Sequence, residues 1–337
     1  MNTHFNARLS QLMNEIELID KDTYEIKKEI QYKGCPFCEI DNGEFIETAL
    51  TKQALFFKYK KCNLCSLIYP YPRPNKQTIE SFFLTNDVFL KKTEKVIKDL
   101  EKKRSLSFAR RIWRKTLGPR LVYNRYREIV KSVKKGDKIL DVGSGFGNCI
   151  ELMLKKGCVV EAVEPNSLRA KFLREKLGIK VYENTLEKTE FQESSYDIVI
   201  FSQVIMHLFS LKNTIEKTRY ILRPGGLLIS SQMNFNSIVQ QTIRSPYPGR
   251  IGLNPFTMCS WFTPASLSKI LEKSEFKVID IKFRPTGFWE FLFTEGYPGG
   301  LLTRFILKIM DEIIKIILMK TGTSDHFFIV AKKIKSI

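Results

Sequence analysis

The chain has 337 residues, 43% of them hydrophobic with 25 Phe, and a formal net charge of +19. That length exceeds one ordinary core and predicts a domain of about 200 residues beside a smaller module, with apolar content ample for packing. The opening residues show no apolar core of a secretory leader, and the charge-free stretches of eighteen or more residues, 224–243 and 251–268, are broken up by Pro, Gly, Asn and Ser rather than continuously apolar. A signal peptide and a membrane-spanning helix are therefore not expected, and the protein is read as cytoplasmic, soluble or peripheral to a membrane. The cysteines number seven, partly as C-x-x-C pairs, which argues against a disulfide scaffold and for thiol ligation of a metal.

In chain order, residues 1–33 carry Leu9, Leu12, Met13, Ile16 and Ile19 at helical spacing and predict a short amphipathic helix. Residues 34–75 hold Cys35-Pro-Phe-Cys38 and Cys62-Asn-Leu-Cys65 around a strand-like run, Ala54 to Tyr59. Such knuckles about a hairpin place four thiolates tetrahedrally on Zn²⁺, a closed structural site. Chance pairs of buried cysteines would have to reproduce the same spacing twice. Cys149, Cys158 and Cys259 have no such partner and read as small core residues. Leu67-Ile-Tyr-Pro-Tyr-Pro-Arg-Pro74 reads as an extended linker, because prolines break a helix.

Residues 76–135 form a basic helical connector that Pro119 must interrupt. Between Lys91 and Lys135 there are seventeen Lys or Arg against Glu94, Asp99, Glu101 and Glu128. The stretch is either a set of solvated helices or an attractor for nucleic acid, an anionic membrane surface or a phosphorylated substrate.

The region 136–337 opens on a buried strand with Ile139, Leu140 and Val142, a turn Gly143-Ser-Gly-Phe-Gly147, and a helix with Ile150, Met153 and Leu154 on one face. Glycines at alternate positions allow positive φ and close approach of a ligand. A dinucleotide fingerprint would want a third glycine where Asn148 stands, and Asp141 would be poorly placed beside a pyrophosphate. The next apolar run ends in Glu164, about twenty residues past the first glycine, where an acid accepts from both ribose hydroxyls. A cationic or zwitterionic ligand with a ribose and no phosphate points to S-adenosylmethionine (SAM), a nucleotide-binding relative being the alternative. With DVGSGFG as first motif and AVEPN closing the second strand, the sequence resembles the class I SAM-dependent methyltransferases.

Further strands are predicted at Lys180 to Tyr182 and Tyr196 to Phe201. An Arg223-Pro-Gly-Gly226 turn should feed the next strand, Leu227 to Ser231, and the last two are expected at Lys277 to Phe283 and His326 to Lys332. Thr263 and Pro264 should cap a helix over Ala265 to Lys273. A helical insertion at about 289–320 includes Leu301 to Met319. There Arg304, Lys308, Asp311, Glu312 and Lys315 share a face; packing on the core or a partner is expected, a membrane-surface helix being the alternative that this mixed-charge face disfavours.

The alternation of strands and helices, with the resemblance, gives an α/β fold: a doubly wound, Rossmann-like sheet of seven strands preceded by a zinc ribbon and a basic connector. The resemblance implies cofactor contacts from Asp141, Gly143, Ser144, Gly145, Phe146, Glu164, Pro165, Leu186, Ser202 and Gln203. His207 follows the fourth strand and is read either as a general base or as a packing and cofactor-facing residue. Where relatives show Glu-His, this chain has Met206-His207.

The ribbon and its proline-rich linker resemble a bacterial methyltransferase group linked to surface-polysaccharide and other sugar biosynthesis. That implies a small-molecule or glycan acceptor, a nucleotide- or lipid-linked sugar in particular. An RNA methyltransferase using the ribbon and basic helices for phosphate contacts is a second reading, and a non-catalytic SAM-fold scaffold a third.

Overall fold

The computed structural model describes residues 34–46, 58–74, 76–84, 87–102, 126–238, 258–285 and 301–334. The expected helix within 1–33, Pro119, and residues 289–300 of the expected insertion lie outside them.

The ribbon is an antiparallel sheet of β1 (Gly43–Ile46), β2 (Lys58–Cys62) and β3 (Ile68–Tyr71), in that order. The segment expected as a linker thus supplies a strand. Pro70 is tolerated there because β3 lies at the edge of this sheet, where a missing N–H need not leave a ladder bond unmade. Helices α1 (Lys76–Leu84) and α2 (Asp87–Lys102) follow, and residues 126–132 form α3. On α2, Lys91, Lys95 and Lys98 are exposed, so this part of the basic stretch faces solvent.

The main sheet contains β4 (Lys138–Val142), β5 (Val159–Val163), β6 (Val181–Tyr182), β7 (Tyr196–Ser202), β8 (Leu222–Met233), β9 (Phe276–Arg284) and β10 (His326–Lys333). Its order is β6-β5-β4-β7-β8-β10-β9, parallel except that β10 runs antiparallel to both β8 and β9. Among the described residues, the strands from β4 to β9 are connected by α4 (Asn148–Lys155), α5 (Ser167–Leu177), α6 (Leu211–Ile221) and α7 (Pro264–Lys273). Two buried clusters lie against the sheet, one around Ile139, Ile150, Met153 and Leu173, the other around Leu140, Phe201, Leu228 and Phe327. Cys149 and Cys158 belong to the first, and Cys259 is buried as well.

Register decides where a ligand can sit. Val142 pairs with Val163 on one side and Phe201 on the other, so the next residues, Gly143, Glu164 and Ser202, emerge at one level. The chain leaves β4 for β5 in one direction and reaches β7 in the other, which opens a crevice at their carboxyl ends.

The local signals read from sequence have visible causes. Thr263 accepts from Ser266 N at 3.0 Å while Ser266 Oγ accepts from Thr263 N at 2.9 Å, a capping box with Pro264 at the first helical position. The Arg223 to Gly226 segment departs from expectation. Leu222 already pairs with Tyr196, and the ladder resumes at Leu227 opposite Ile198, so residues 223–226 form an irregularity inside β8 rather than a turn before it. Asp197 anchors it, pairing with Arg223 at 2.7 Å and accepting from Lys138 N at 2.8 Å.

Helix α8 (Leu301–Thr321) carries Ile309, Ile313, Ile316 and Ile317 about half exposed, so this face is not covered by the described core. Among the described residues no helix is long and apolar enough to cross a membrane.

Candidate functional site

A cavity of about 380 Å³ opens at the carboxyl ends of β4, β5 and β7, within the usual range for a small-molecule site. Of the residues expected at the cofactor, Gly143, Glu164, Pro165, Leu186, Ser202 and Gln203 line it, and so does His207. Asp141, Ser144, Gly145 and Phe146 do not form its wall. Ser144, Gly145 and Phe146 make the turn that shapes it, and Asp141 lies in β4 beneath that turn.

That turn is held by a carboxylate. Glu164 is 3% exposed, and its two oxygens accept from Gly145 N at 2.8 Å and Asn166 N at 3.1 Å. Burial raises its carboxyl above the ordinary value, against the pull of Arg169 and these two N–H groups. Below the turn, burial pushes the Asp141 carboxyl up to about 7, opposed by Ser144 and reinforced by the charge of Glu164. Asp141 Oδ1 is buried without a hydrogen-bond partner.

Two glycines do different things. At Gly143, φ is +67° and a Cβ would lie 2.6 Å from Val204 Cγ2, so the fold itself needs glycine. At Gly145, φ is +58° but a Cβ would meet nothing within 4 Å, leaving the backbone open on that side. A buried acid on the cavity wall beside an open glycine backbone suits the ribose of a nucleoside. These residues therefore fit SAM.

Leu186 is buried in the wall after β6, between Thr185 and Glu187. Gln203 holds a left-handed φ of +60°, and its N donates to Ser231 O at 2.8 Å. A non-glycine residue in that region costs on the order of 1–3 kcal/mol and is commonest at binding sites. His207 closes a short 3₁₀ turn, Ile205–His207, with its N donating to Val204 O at 2.8 Å. Its ring meets Phe83 of α1 edge-on at 5.5 Å.

Several wall residues carried no readable signal. Ile79, Glu80 and Phe83 come from α1, which is pinned by Asn166 Nδ2 to Phe83 O at 3.3 Å and by Lys188 to Glu80 at 3.3 Å. Arg169 comes from the first turn of α5, whose cap Asn166 accepts from Arg169 N. The sequence Asn166-Ser-Leu-Arg169 does read as a helix start, which could have placed Arg169 beside Glu164.

In the ribbon, Cys35, Cys38, Cys62 and Cys65 bring their sulfurs within 4.8 Å of one another, and none is in a disulfide. Tetrahedral Zn–S bonds of about 2.3 Å would set the sulfurs about 3.8 Å apart. The hydrogen bond from Cys65 lowers Cys35 to about 6, while burial and the Cys35 charge push Cys38 up to about 12. Crowded thiols of this kind suppress one another's ionisation unless a cation neutralises them, and the donor set fits a structural zinc.

Comparison with known proteins agrees in kind. The chain is 27% identical over 156 residues to a ubiquinone biosynthesis O-methyltransferase of Dinoroseobacter shibae, covering 44% of this chain and 63% of that protein. It is 24% identical over 187 residues to a thiol S-methyltransferase of Rattus norvegicus, covering 49% and 72%. A SAM-dependent methyltransferase structure from Archaeoglobus fulgidus superposes with a TM-score of 0.46 at 19% identity, covering 67% of this chain and all of that one. The match to the first relative thus spans under two thirds of its length. A family model described as "Methyltransferase domain" matches residues 113–281, just over half of the chain, and the chain belongs to that family.

Proposed function

We propose that this protein transfers the methyl group of SAM to a hydroxyl or thiol on a small molecule with an apolar body. The observation that carries the reading is the mixed lining of one cavity: Gly143, Glu164, Leu186 and Gln203, the set that suits the cofactor, share it with the apolar Ile79, Phe83, Val204, Leu208 and Phe209 and with His207. Similarity to an O-methyltransferase and an S-methyltransferase supports oxygen or sulfur as the accepting atom.

When bound, SAM supplies a methyl carbon on its sulfonium, which the acceptor atom takes as the carbon–sulfur bond breaks. Glu164 holds the ribose and keeps the turn in shape through Gly145 N and Asn166 N. The apolar wall orients the acceptor and excludes water, and such alignment supplies much of the rate in an in-line displacement. His207 takes the proton that the acceptor must lose. The four-thiol ribbon favours a second reading within the same chemistry, a nucleotide- or lipid-linked sugar, through the resemblance of the ribbon and the strand after it.

The test is release of S-adenosylhomocysteine from SAM with a panel of acceptors: substituted phenols, alkyl thiols, nucleotide sugars and an RNA oligomer. Turnover on phenols or thiols, reduced about a hundredfold or more in His207→Ala with SAM affinity kept, is the expected result. Turnover confined to nucleotide sugars would select the second reading. Turnover confined to RNA, falling steeply with salt, would contradict both.

A further inference from the structure

One buried side chain joins the ribbon to the cavity wall. Arg73 is 6% exposed, and its guanidinium donates through Nη1 to Gly34 O at 3.2 Å and through Nη2 to Phe209 O at 2.6 Å. Its central carbon lies 4.6 Å from the centroid of the Phe209 ring. Gly34 immediately precedes the first thiol of the metal site, and Phe209 stands in the cavity wall two residues past His207. The Arg73 fork therefore spans from the knuckle to the segment that presents the histidine.

A second tie reaches the same segment from its other side. Ile68 of β3 exchanges backbone hydrogen bonds with Trp261, at 3.2 and 2.7 Å, and the neighbouring Ser260 N donates to Met206 O at 3.1 Å. Cys259 Sγ donates to His207 O at 3.3 Å. The knuckle has its own internal bonds, Cys35 N to Ile40 O at 3.0 Å and Glu39 N to Cys35 O at 2.9 Å, whose geometry the metal would fix.

We propose that Arg73 is a positioning residue that fixes the 204–210 segment, and with it His207, from the four-thiol site, so that metal occupancy sets how firmly the acceptor wall is held. Arginine is required for this because its planar group donates in two directions while stacking on an aromatic ring, which a lysine ammonium does not reproduce. The link concerns the wall itself and holds for whichever acceptor the cavity takes.

The experiment uses the full chain with and without a zinc chelator, for wild type, Arg73→Lys and Phe209→Leu. Hydrogen exchange is read at the amides of His207 and Ser260, with β4 and β8 as controls. Zinc content and the imidazole NMR signals of His207 and His326 are measured in parallel; the chain has three histidines. The expected result is that Arg73→Lys and Phe209→Leu keep their zinc and their control protection, exchange at His207 at least tenfold faster, and shift the His207 signal but not that of His326. Chelation should do the same to wild type and add little to Arg73→Lys, since the link is already cut. Unchanged exchange at His207 in both zinc-loaded variants would overturn the proposal. So would chelation that loosens the segment equally in wild type and Arg73→Lys, or loss of zinc or of control protection in Arg73→Lys, which would make Arg73 part of the ribbon's framework instead.

Discussion

Asp141 is 1% exposed beneath the glycine turn, and burial lifts its carboxyl from an ordinary 3.8 to about 7. Between those values the folded protein keeps a proton that the unfolded chain has released. Stability of the ligand-free protein should therefore fall as pH rises from about 4 to about 7, the opposite of a salt-bridged carboxylate. The Glu164 carboxyl, raised by burial as well, acts in the same direction. Asp141→Asn should be flatter over this window, and urea unfolding at pH 5 and pH 8 measures it. A difference between wild type and variant that does not change with pH would contradict the assignment. In the sequence Asp141 reads as a ligand contact, while the structure puts it under the turn and outside the cavity wall. Motif spacing indicates which residues share a site, but depth below a surface depends on how strands stack, and no local signal reports it. Phe83 and Arg73 were illegible for a related reason, since their partners Asn166 and Phe209 lie 83 and 136 residues away.

At the scale of elements, the strand, turn and helix from Lys138 to Lys155 were readable because each signal there is local: an apolar run, glycines where φ is positive, and a helical stripe. The two glycines of that turn give a prediction. Gly143→Ala should destabilise the fold by about 1–3 kcal/mol, because the new Cβ meets Val204 at a left-handed backbone position. Gly145→Ala has only the backbone cost, so its larger effect should be on SAM affinity, where the open face of the turn is lost. Thermal unfolding beside SAM titration of the two variants separates these effects, and equal losses of stability would contradict the division. Elements whose state depends on distant pairing are less legible. Ile68 to Tyr71 reads as a linker because of its prolines and is a strand because β2 and Trp261 pair with it. The Arg223 to Gly226 segment reads as a turn because its flanking pairings, Leu222 to Tyr196 and Leu227 to Ile198, are non-local.

For the whole molecule, the two C-x-x-C pairs were legible as a set because the same spacing repeated on both sides of a hairpin is the pattern that a tetrahedral thiolate site requires. What the spacing could not convey is that the ribbon shares one buried cluster with the main sheet, through Tyr59, Leu67, Tyr69, Trp261 and Phe262. Removing the metal should release the ribbon while β4 to β10 stay folded. Protein prepared without chelator should hold about one zinc per chain, lost in Cys62→Ser/Cys65→Ser. Full metal retention in that variant would contradict the site. The central claim, that the crevice over β4, β5 and β7 takes SAM, is tested most directly by calorimetric titration of wild type and Glu164→Ala with SAM and, separately, with NAD. Glu164→Ala removes the carboxylate proposed to accept from the ribose hydroxyls and leaves Gly145 N and Asn166 N without that acceptor, so SAM affinity should fall at least tenfold and some stability should be lost with it. Wild type should bind SAM and not NAD. Tight NAD binding, or SAM affinity unaltered in Glu164→Ala, would contradict the account.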